Sequence, residues 1–142
     1  MEGQAEAVLP EHSKAVLLGS AQRNLQPIKE RLTLVSGEEE IQPGIRVVPA
    51  PGHTPGHMAV RVTSSQEQLL CISDLALHPL HLEEPGWVAA VDMLPDQLVT
   101  QRRALFAMVT AARCRVMAFH FPFPGLGRVS AKGASWRWEA VP

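Results

Sequence analysis

The most restrictive feature of this chain is a short loop, PGHTPGH at residues 51–57, between two runs of β-forming residues. Residues 44–50 (GIRVVPA) precede the loop and residues 58–62 (MAVRV) follow it. Its two prolines and two glycines restrict the backbone to a tight, defined turn. A histidine held there, such as His53, is well placed to bind a metal or carry a proton. The loop therefore predicts a functional site, although a hydrogen-bonded turn is the alternative for a two-histidine loop taken alone.

Two more polar side chains follow apolar runs that are typical of buried strands. Residues 68–72 (QLLCI) lead into Asp74, and residues 115–119 (RVMAF) lead into His120. Each side chain has an ordinary alternative, because Asp74 could cap a turn and His120 could bond to backbone at a strand end. The occurrence of three potential ligands, His53 being the first, at three strand ends predicts a shared site.

These segments resemble the C-terminal half of a metallo-β-lactamase superfamily hydrolase. The resemblance covers residues 41–142, and the FPFPG segment after His120 is most similar to the methyl parathion hydrolase and lactonase-like branch. It implies an α/β (α+β) fold that forms the C-terminal αβ half of an αββα sandwich, truncated at the N-terminus. We therefore divide the chain into an N-terminal helical segment, residues 1–40, and a metallo-β-lactamase-like αβ portion, residues 41–142.

The resemblance implies roles for the three side chains. His53 would serve one metal ion and His120 a second, while Asp74, the catalytic residue, would bridge both ions through its two oxygens. The implied cofactor is a divalent metal, with zinc as the expected ion and two ions in the complete family site. The implied enzyme is a metal-dependent hydrolase that attacks a small ester, lactone or phosphotriester with a metal-bound hydroxide. We expect a structural hydrogen-bonding role for the second histidine of the loop, His57.

The segment after Asp74 predicts a lid over the site. Residues 75–94 form a long irregular stretch, and such stretches in compact domains are commonly functional. We expect His78 and Trp87, together with Phe123, to contact an apolar small-molecule substrate. A solvated or locally hydrogen-bonded state is the alternative for His78.

The chain departs from the family pattern in two places. No His-x-His-x-Asp-His segment precedes residue 51, so the three candidate ligands are fewer than two four-coordinate ions require. Ser73 stands where the family has glycine, which adds a Cβ in a backbone position that can be unusual. We therefore expect weak metal binding and little hydrolysis by this chain alone. The alternative function is a non-catalytic scaffold or assembly domain that retains the fold.

Charge and hydropathy bear on partners and location. The chain has 13 basic and 14 acidic residues and a net charge of −1, so no nucleic-acid or anionic membrane partner is expected. An acidic start and the absence of an apolar run of about 20 residues predict a cytoplasmic location. The apolar strands predict a homo-oligomer or a missing N-terminal half that covers one sheet face. The strand residues that carry this expectation are Val47, Val60, Leu70, Ile72, Val116 and Ala118.

The remaining patterns predict structural elements. Residues 11–34 indicate two short helices interrupted at Gly19 and near Pro27, and residues 36–40 an acidic turn. The spacing of apolar residues over positions 95–113 predicts an amphipathic helix that should cover a sheet face.

The C-terminal residues predict two strands. Trp136 and Trp138 lie on one face of the last strand, because side chains alternate along a strand. Core packing is the favoured role, with aromatic stacking on a substrate as the alternative.

Overall fold

We describe residues 11–141 of a computed structural model, without the side chains at positions 11, 12 and 14. The first ten residues, which include the acidic start used to predict the location, lie outside this range. The chain divides into two compact units, one up to Ser36 and one from Gly37 onward. In the part described, no helix is long and apolar enough to cross a membrane.

The first unit is helical. Helix α1, Glu11–Leu25, is followed directly by a 3-10 helix, Gln26–Arg31, with its proline in the first turn. A proline there removes no hydrogen bond, because N–H groups of the first turn have no helical partner. The predicted interruption at Gly19 is wrong, since α1 runs through it. A glycine costs a helix only about 1 kcal/mol relative to alanine.

The second unit contains a seven-stranded sheet whose strand order follows the chain order. The strands are β1 Glu39–Gln42, β2 Ile45–Pro49, β3 Met58–Ser64, β4 Glu67–Cys71, β5 Arg115–Met117, β6 Leu126–Lys132 and β7 Ser135–Ala140. All neighbouring strands are antiparallel except β4 and β5, which are parallel. The acidic turn predicted at residues 36–40 is partly wrong, because Glu39 and Glu40 pair with β2.

The parallel pair requires a crossover, because parallel strands cannot be joined by a tight turn. Residues 72–114 supply it. They contain a 3-10 turn, Ser73–Leu75, a short helix α2, Leu80–Glu83, and the long helix α3, Pro95–Ala111. Helix α3 ends two residues before the predicted position, and Arg113 then adopts a left-handed φ of 51°.

Helix α3 covers one face of the sheet, as its amphipathic pattern predicts. Its buried side chains share one apolar cluster with the inward-facing strand residues. Trp136 packs edge-on against Phe106 with ring centroids 5.7 Å apart, and Trp138 against Phe121 at 4.8 Å. The core-packing role predicted for the two tryptophans is therefore confirmed. The inward-facing strand and loop residues include Ala59, Leu70, Ile72, Val116, Ala118 and Val129.

The opposite face of the sheet carries a continuous row of apolar residues. Strand pairing aligns Val47 with Val60, Val60 with Cys71, Cys71 with Met117, and Met117 with Leu126. We call these five residues the apolar row. Val47 is buried at 8% exposure, the most exposed member is Met117 at 45%, and the other three are half-buried. We predicted that six apolar strand residues lie on an uncovered face. This prediction is wrong for four of them, which lie in the core and are at most 1% exposed: Leu70, Ile72, Val116 and Ala118.

Candidate metal centre

Asp74 lies between the imidazole rings of His53 and His120. The Nε2 atom of His120 is 2.8 Å from Asp74 Oδ1, and the Nε2 atom of His53 is 3.8 Å from Asp74 Oδ2. Each histidine thus faces a different oxygen of one carboxylate. The three side chains are between 21% and 41% exposed, so solvent reaches the site. The structure brings the three predicted ligands together.

Strand direction explains why these residues meet. Strands β4 and β5 are parallel, so the segments that leave their carboxyl ends, with Asp74 and His120, emerge at the same edge of the sheet. Strand β2 is antiparallel to β3, which is antiparallel to β4, so β2 also points toward that edge. His53 follows β2 by four residues. The topology therefore places three strand ends around one point.

The loop that carries His53 is fixed against the start of helix α3. The N–H of Leu94 donates to the Gly52 carbonyl at 2.8 Å, and the N–H of Met93 donates to the His53 carbonyl at 3.1 Å. Gly52 has a φ of 153°, and a Cβ at this position would collide with the backbone of Leu98. Glycine is required here because the helix passes directly over the loop.

A buried aspartate that the sequence analysis missed orients His53. Asp92 Oδ1 is 2.9 Å from His53 Nδ1, and Asp92 Oδ2 accepts a 2.6 Å hydrogen bond from the Ala89 N–H. The Asp92 side chain is 1% exposed. A carboxylate beside Nδ1 holds the proton on that nitrogen. The unprotonated Nε2 then faces Asp74 with a lone pair that a metal ion could accept. Nothing in the local sequence distinguishes Asp92 from an ordinary turn aspartate.

His57 has the structural role that was expected of it. Its Nδ1 lies 2.8 Å from the Ala50 carbonyl, to which it can only donate, and its Nε2 accepts from the Asp74 N–H at 3.1 Å. The ring is therefore neutral in this arrangement and links the loop to the backbone of Asp74. It contributes no free nitrogen to a metal.

Ser73 adopts the unusual conformation that its position suggested. Its φ is 44°, in the left-handed region that side chains with a Cβ disfavour. Asp74 follows with φ −88° and ψ 16°, inside the 3-10 turn. The Asp74 carboxylate is thus presented from a strained backbone.

The three predicted substrate contacts lie at the surface. His78 Nδ1 accepts a 3.2 Å hydrogen bond from the Leu80 N–H, while Trp87 and Phe123 are 56% and 99% exposed. Within residues 11–141, no hydrogen bond or ring contact joins these side chains to the three candidate ligands. Their substrate role stays a prediction. An aromatic that was not predicted, Phe119, packs edge-on against His120 with centroids 5.1 Å apart.

The three side chains supply imidazole nitrogen and carboxylate oxygen, which are atom types that divalent metal ions bind. Two donors of one zinc ion, each at about 2.0–2.2 Å from it, lie roughly 3–4 Å apart. The His53–Asp74 separation of 3.8 Å falls in that range, whereas His120 and Asp74 are at hydrogen-bond distance, 2.8 Å. Among the residues described, no group of three or more His, Cys, Asp or Glu side chains surrounds one ion position. The donor types therefore suit divalent ions, but the described residues offer at most two protein ligands to any one ion.

The fold of this chain is similar to that of several solved structures. No family model matches the chain, and no curated protein matches it. Among solved structures, it is similar to AidC, a dizinc quorum-quenching lactonase in complex with a product, with a TM-score of 0.86, 24% identity, and coverage of 97% of this chain and 47% of AidC. It is also similar to AbOPH, a hydrolase in the beta lactamase superfamily, with a TM-score of 0.85, 27% identity, and coverage of 100% and 50%.

A third similar structure is a probable metal-dependent hydrolase from Staphylococcus aureus. Its TM-score is 0.68 at 20% identity, with coverage of 80% of this chain and 41% of that protein. The chain thus spans half or less of the length of these three proteins. The mixed α/β class predicted from the sequence is confirmed. The resemblance is confirmed as well, since the chain has the fold of a C-terminal-like half of the metallo-β-lactamase superfamily hydrolases.

Proposed function

We propose that this chain carries half of the binuclear metal centre of a metal-dependent hydrolase. His53 and Asp74 would hold one divalent ion, and His120 and Asp74 would hold the other. The observation that supports this proposal is the approach of two imidazole Nε2 atoms to the two different oxygens of Asp74. Zinc is the proposed ion, because imidazole and carboxylate ligands suit it and AidC is a dizinc protein.

Bound zinc ions supply Lewis acidity and make a water molecule nucleophilic near neutral pH. The residues of this chain would prepare the site for that chemistry. Asp92 holds the Nδ1 proton of His53 and keeps its Nε2 available. His57 holds the backbone N–H of Asp74, and so fixes the point from which the carboxylate projects. Both interactions would lower the reorganisation that metal binding requires.

A small ester, lactone or phosphotriester is the proposed substrate. AidC is a lactonase, which supports a lactone as the substrate of this chain. The exposed aromatic ring of Phe119 beside His120 would offer an apolar contact to such a molecule. His78, Trp87 and Phe123 are the further proposed contacts. Their exposure leaves them free to approach a substrate at the edge of the sheet.

Calorimetric titration of the metal-free chain with zinc tests the proposal. Two ligands per ion predict weak binding, with hydrolysis of a lactone or ester near the limit of detection. Asp74→Asn should weaken zinc binding at least tenfold, because it removes the charge shared by both positions. Glu67→Gln is the matched control, since Glu67 is an exposed carboxylate at the other end of β4. Equal zinc affinities of the two variants would overturn the proposal.

A second candidate function is an assembly or scaffold domain that retains the fold. The apolar row supports it, because five strands share an apolar line on the sheet face opposite to helix α3. We propose that another αβ layer packs on this face, supplied either by a second copy or by a polypeptide that carries the other half. Light scattering of the purified chain tests self-association. A stable dimer would support pairing with a second copy, and a stable monomer of 15.5 kDa would refute it.

A further inference from the structure

Helix α3 contains a fully buried arginine close to the candidate metal centre. Arg102 is 0% exposed. Its Nε donates to the Leu75 carbonyl at 2.8 Å, and its Nη1 donates to the carbonyls of Pro85 at 3.0 Å and Trp87 at 2.5 Å. Its Nη2 has no hydrogen-bond partner among the residues described. A buried charge that lacks a full set of partners is costly, so its position calls for a functional reason.

The three carbonyl acceptors belong to the segment between two site residues. Leu75 directly follows Asp74, and Trp87 precedes Asp92 by five residues. One guanidinium therefore ties both ends of residues 75–87 to helix α3. The segment has little regular structure of its own, since it contains the last residue of the 3-10 turn and the four-residue helix α2. Without the arginine, three carbonyls would lose their buried donor and residues 75–87 would lose their anchor on helix α3, which leaves the backbone bonds of Met93 and Leu94 to the His53 loop as the ties next to Asp92.

We propose that Arg102 is a positioning residue for the candidate metal centre. By holding residues 75–87 against α3, it keeps Asp92 on His53 Nδ1, and so keeps His53 Nε2 free toward Asp74. The importance of this for metal binding rests on the proposed function. The proposed link from Arg102 through the backbone of residues 75–92 to the His53 tautomer does not, because it concerns the metal-free protein.

A purely structural role predicts a different behaviour. If Arg102 only filled the core, its loss would lower stability and leave the proton of His53 on Nδ1. Nitrogen-15 NMR of the histidine side chains separates the two roles, because it reports which ring nitrogen carries the proton. His57 serves as an internal reference, since its Nδ1 is fixed by the Ala50 carbonyl and not by residues 75–87.

The experiment compares the metal-free full chain with three variants. Arg102→Met keeps an apolar stem and removes all donors, and Arg102→Lys keeps one charged donor group. Val109→Ala destabilises the same helix at a buried site without a bond to residues 75–87. We expect the His53 proton to move from Nδ1 to Nε2 in Arg102→Met, to move partly in Arg102→Lys, and to stay in Val109→Ala.

A His53 proton that stays on Nδ1 in a folded Arg102→Met variant would overturn the proposal. If that variant does not fold, Arg102→Lys decides by the same criterion. Zinc titration adds a second measurement, in which Arg102→Met should weaken binding at least tenfold. A tautomer change without a change in zinc affinity would support the positioning role and count against the proposed metal centre, so the two failures are distinguishable.

Discussion

The backbone N–H of Asp74 donates a 3.1 Å hydrogen bond to Nε2 of His57, and His57 Nδ1 lies 2.8 Å from the Ala50 carbonyl. One neutral ring thus joins the residue after strand β2 to Asp74, three residues beyond the end of strand β4. This bridge spans the two segments that carry His53 and Asp74. It makes the second histidine of the loop a support for the site.

Replacement of His57 should therefore lower stability. His57→Ala removes two partly buried hydrogen bonds and leaves the Ala50 carbonyl and the Asp74 N–H without partners, which we expect to cost about 1–3 kcal/mol. Urea denaturation measures the loss. His78→Ala is the control, because it removes one exposed local hydrogen bond and should cost less than about 1 kcal/mol. Equal losses in the two variants would argue against the bridging role.

The stability of the protein should fall in mild acid, in part through His81. Burial, followed by the charge of Arg102, lowers the pKa of His81 below its ordinary value of 6.5, and its Nδ1 accepts from the Leu77 N–H at 3.1 Å. The unfolded chain then binds a proton at a higher pH than the folded chain. The contribution of His81 to the free energy of unfolding is therefore fully present above about pH 6.5, and it decreases as the pH falls below that value.

His81→Asn tests this dependence, because asparagine keeps an acceptor near the Leu77 N–H and does not titrate. The free energy of unfolding, measured in urea at pH 7.5 and at about pH 5, should change less in the variant than in the natural chain. The same pH dependence in both proteins would contradict the assignment.

Relief of the strain at Ser73 should stabilise the fold. A left-handed residue with a Cβ is disfavoured by about 1–2 kcal/mol, and the flexibility of glycine in the unfolded chain returns part of that. We expect Ser73→Gly to raise stability by up to about 1 kcal/mol. Ser65→Gly is the matched control, since Ser65 has a φ of 54° in the turn between β3 and β4. A loss of stability in Ser73→Gly alone would mean that the serine side chain makes a compensating contribution.

The apolar row should control association if the chain pairs through this face. Met117→Lys places a charge at its most exposed member and should shift light scattering toward the monomer. Leu80→Lys is the control, because Leu80 has nearly the same exposure, 46% against 45%, and lies on α2. An unchanged association state in Met117→Lys, starting from a dimer, would exclude this face as the interface.

Much of the site follows from local sequence. His53, Asp74 and His120 could be selected because each follows an apolar run, and strand ends that point one way converge at one edge of a sheet. Helix α3 could be predicted because its apolar period continues through Leu98 and Val109. These signals are local, since backbone sterics and alternation of side chains act over a few residues.

Other features depend on the tertiary structure alone. Asp92 and Arg102 lie far from His53 in the chain, and only the path of residues 75–94 across α3 brings a carboxylate to Nδ1 and a guanidinium to three carbonyls. The assignment of Leu70 to the core and Met117 to the opposite face needed the strand register. Local sequence determined which residues could act at a strand end. Packing between distant segments decided which buried groups orient them, because a hydrogen bond forms only where the folded chain brings its two partners together.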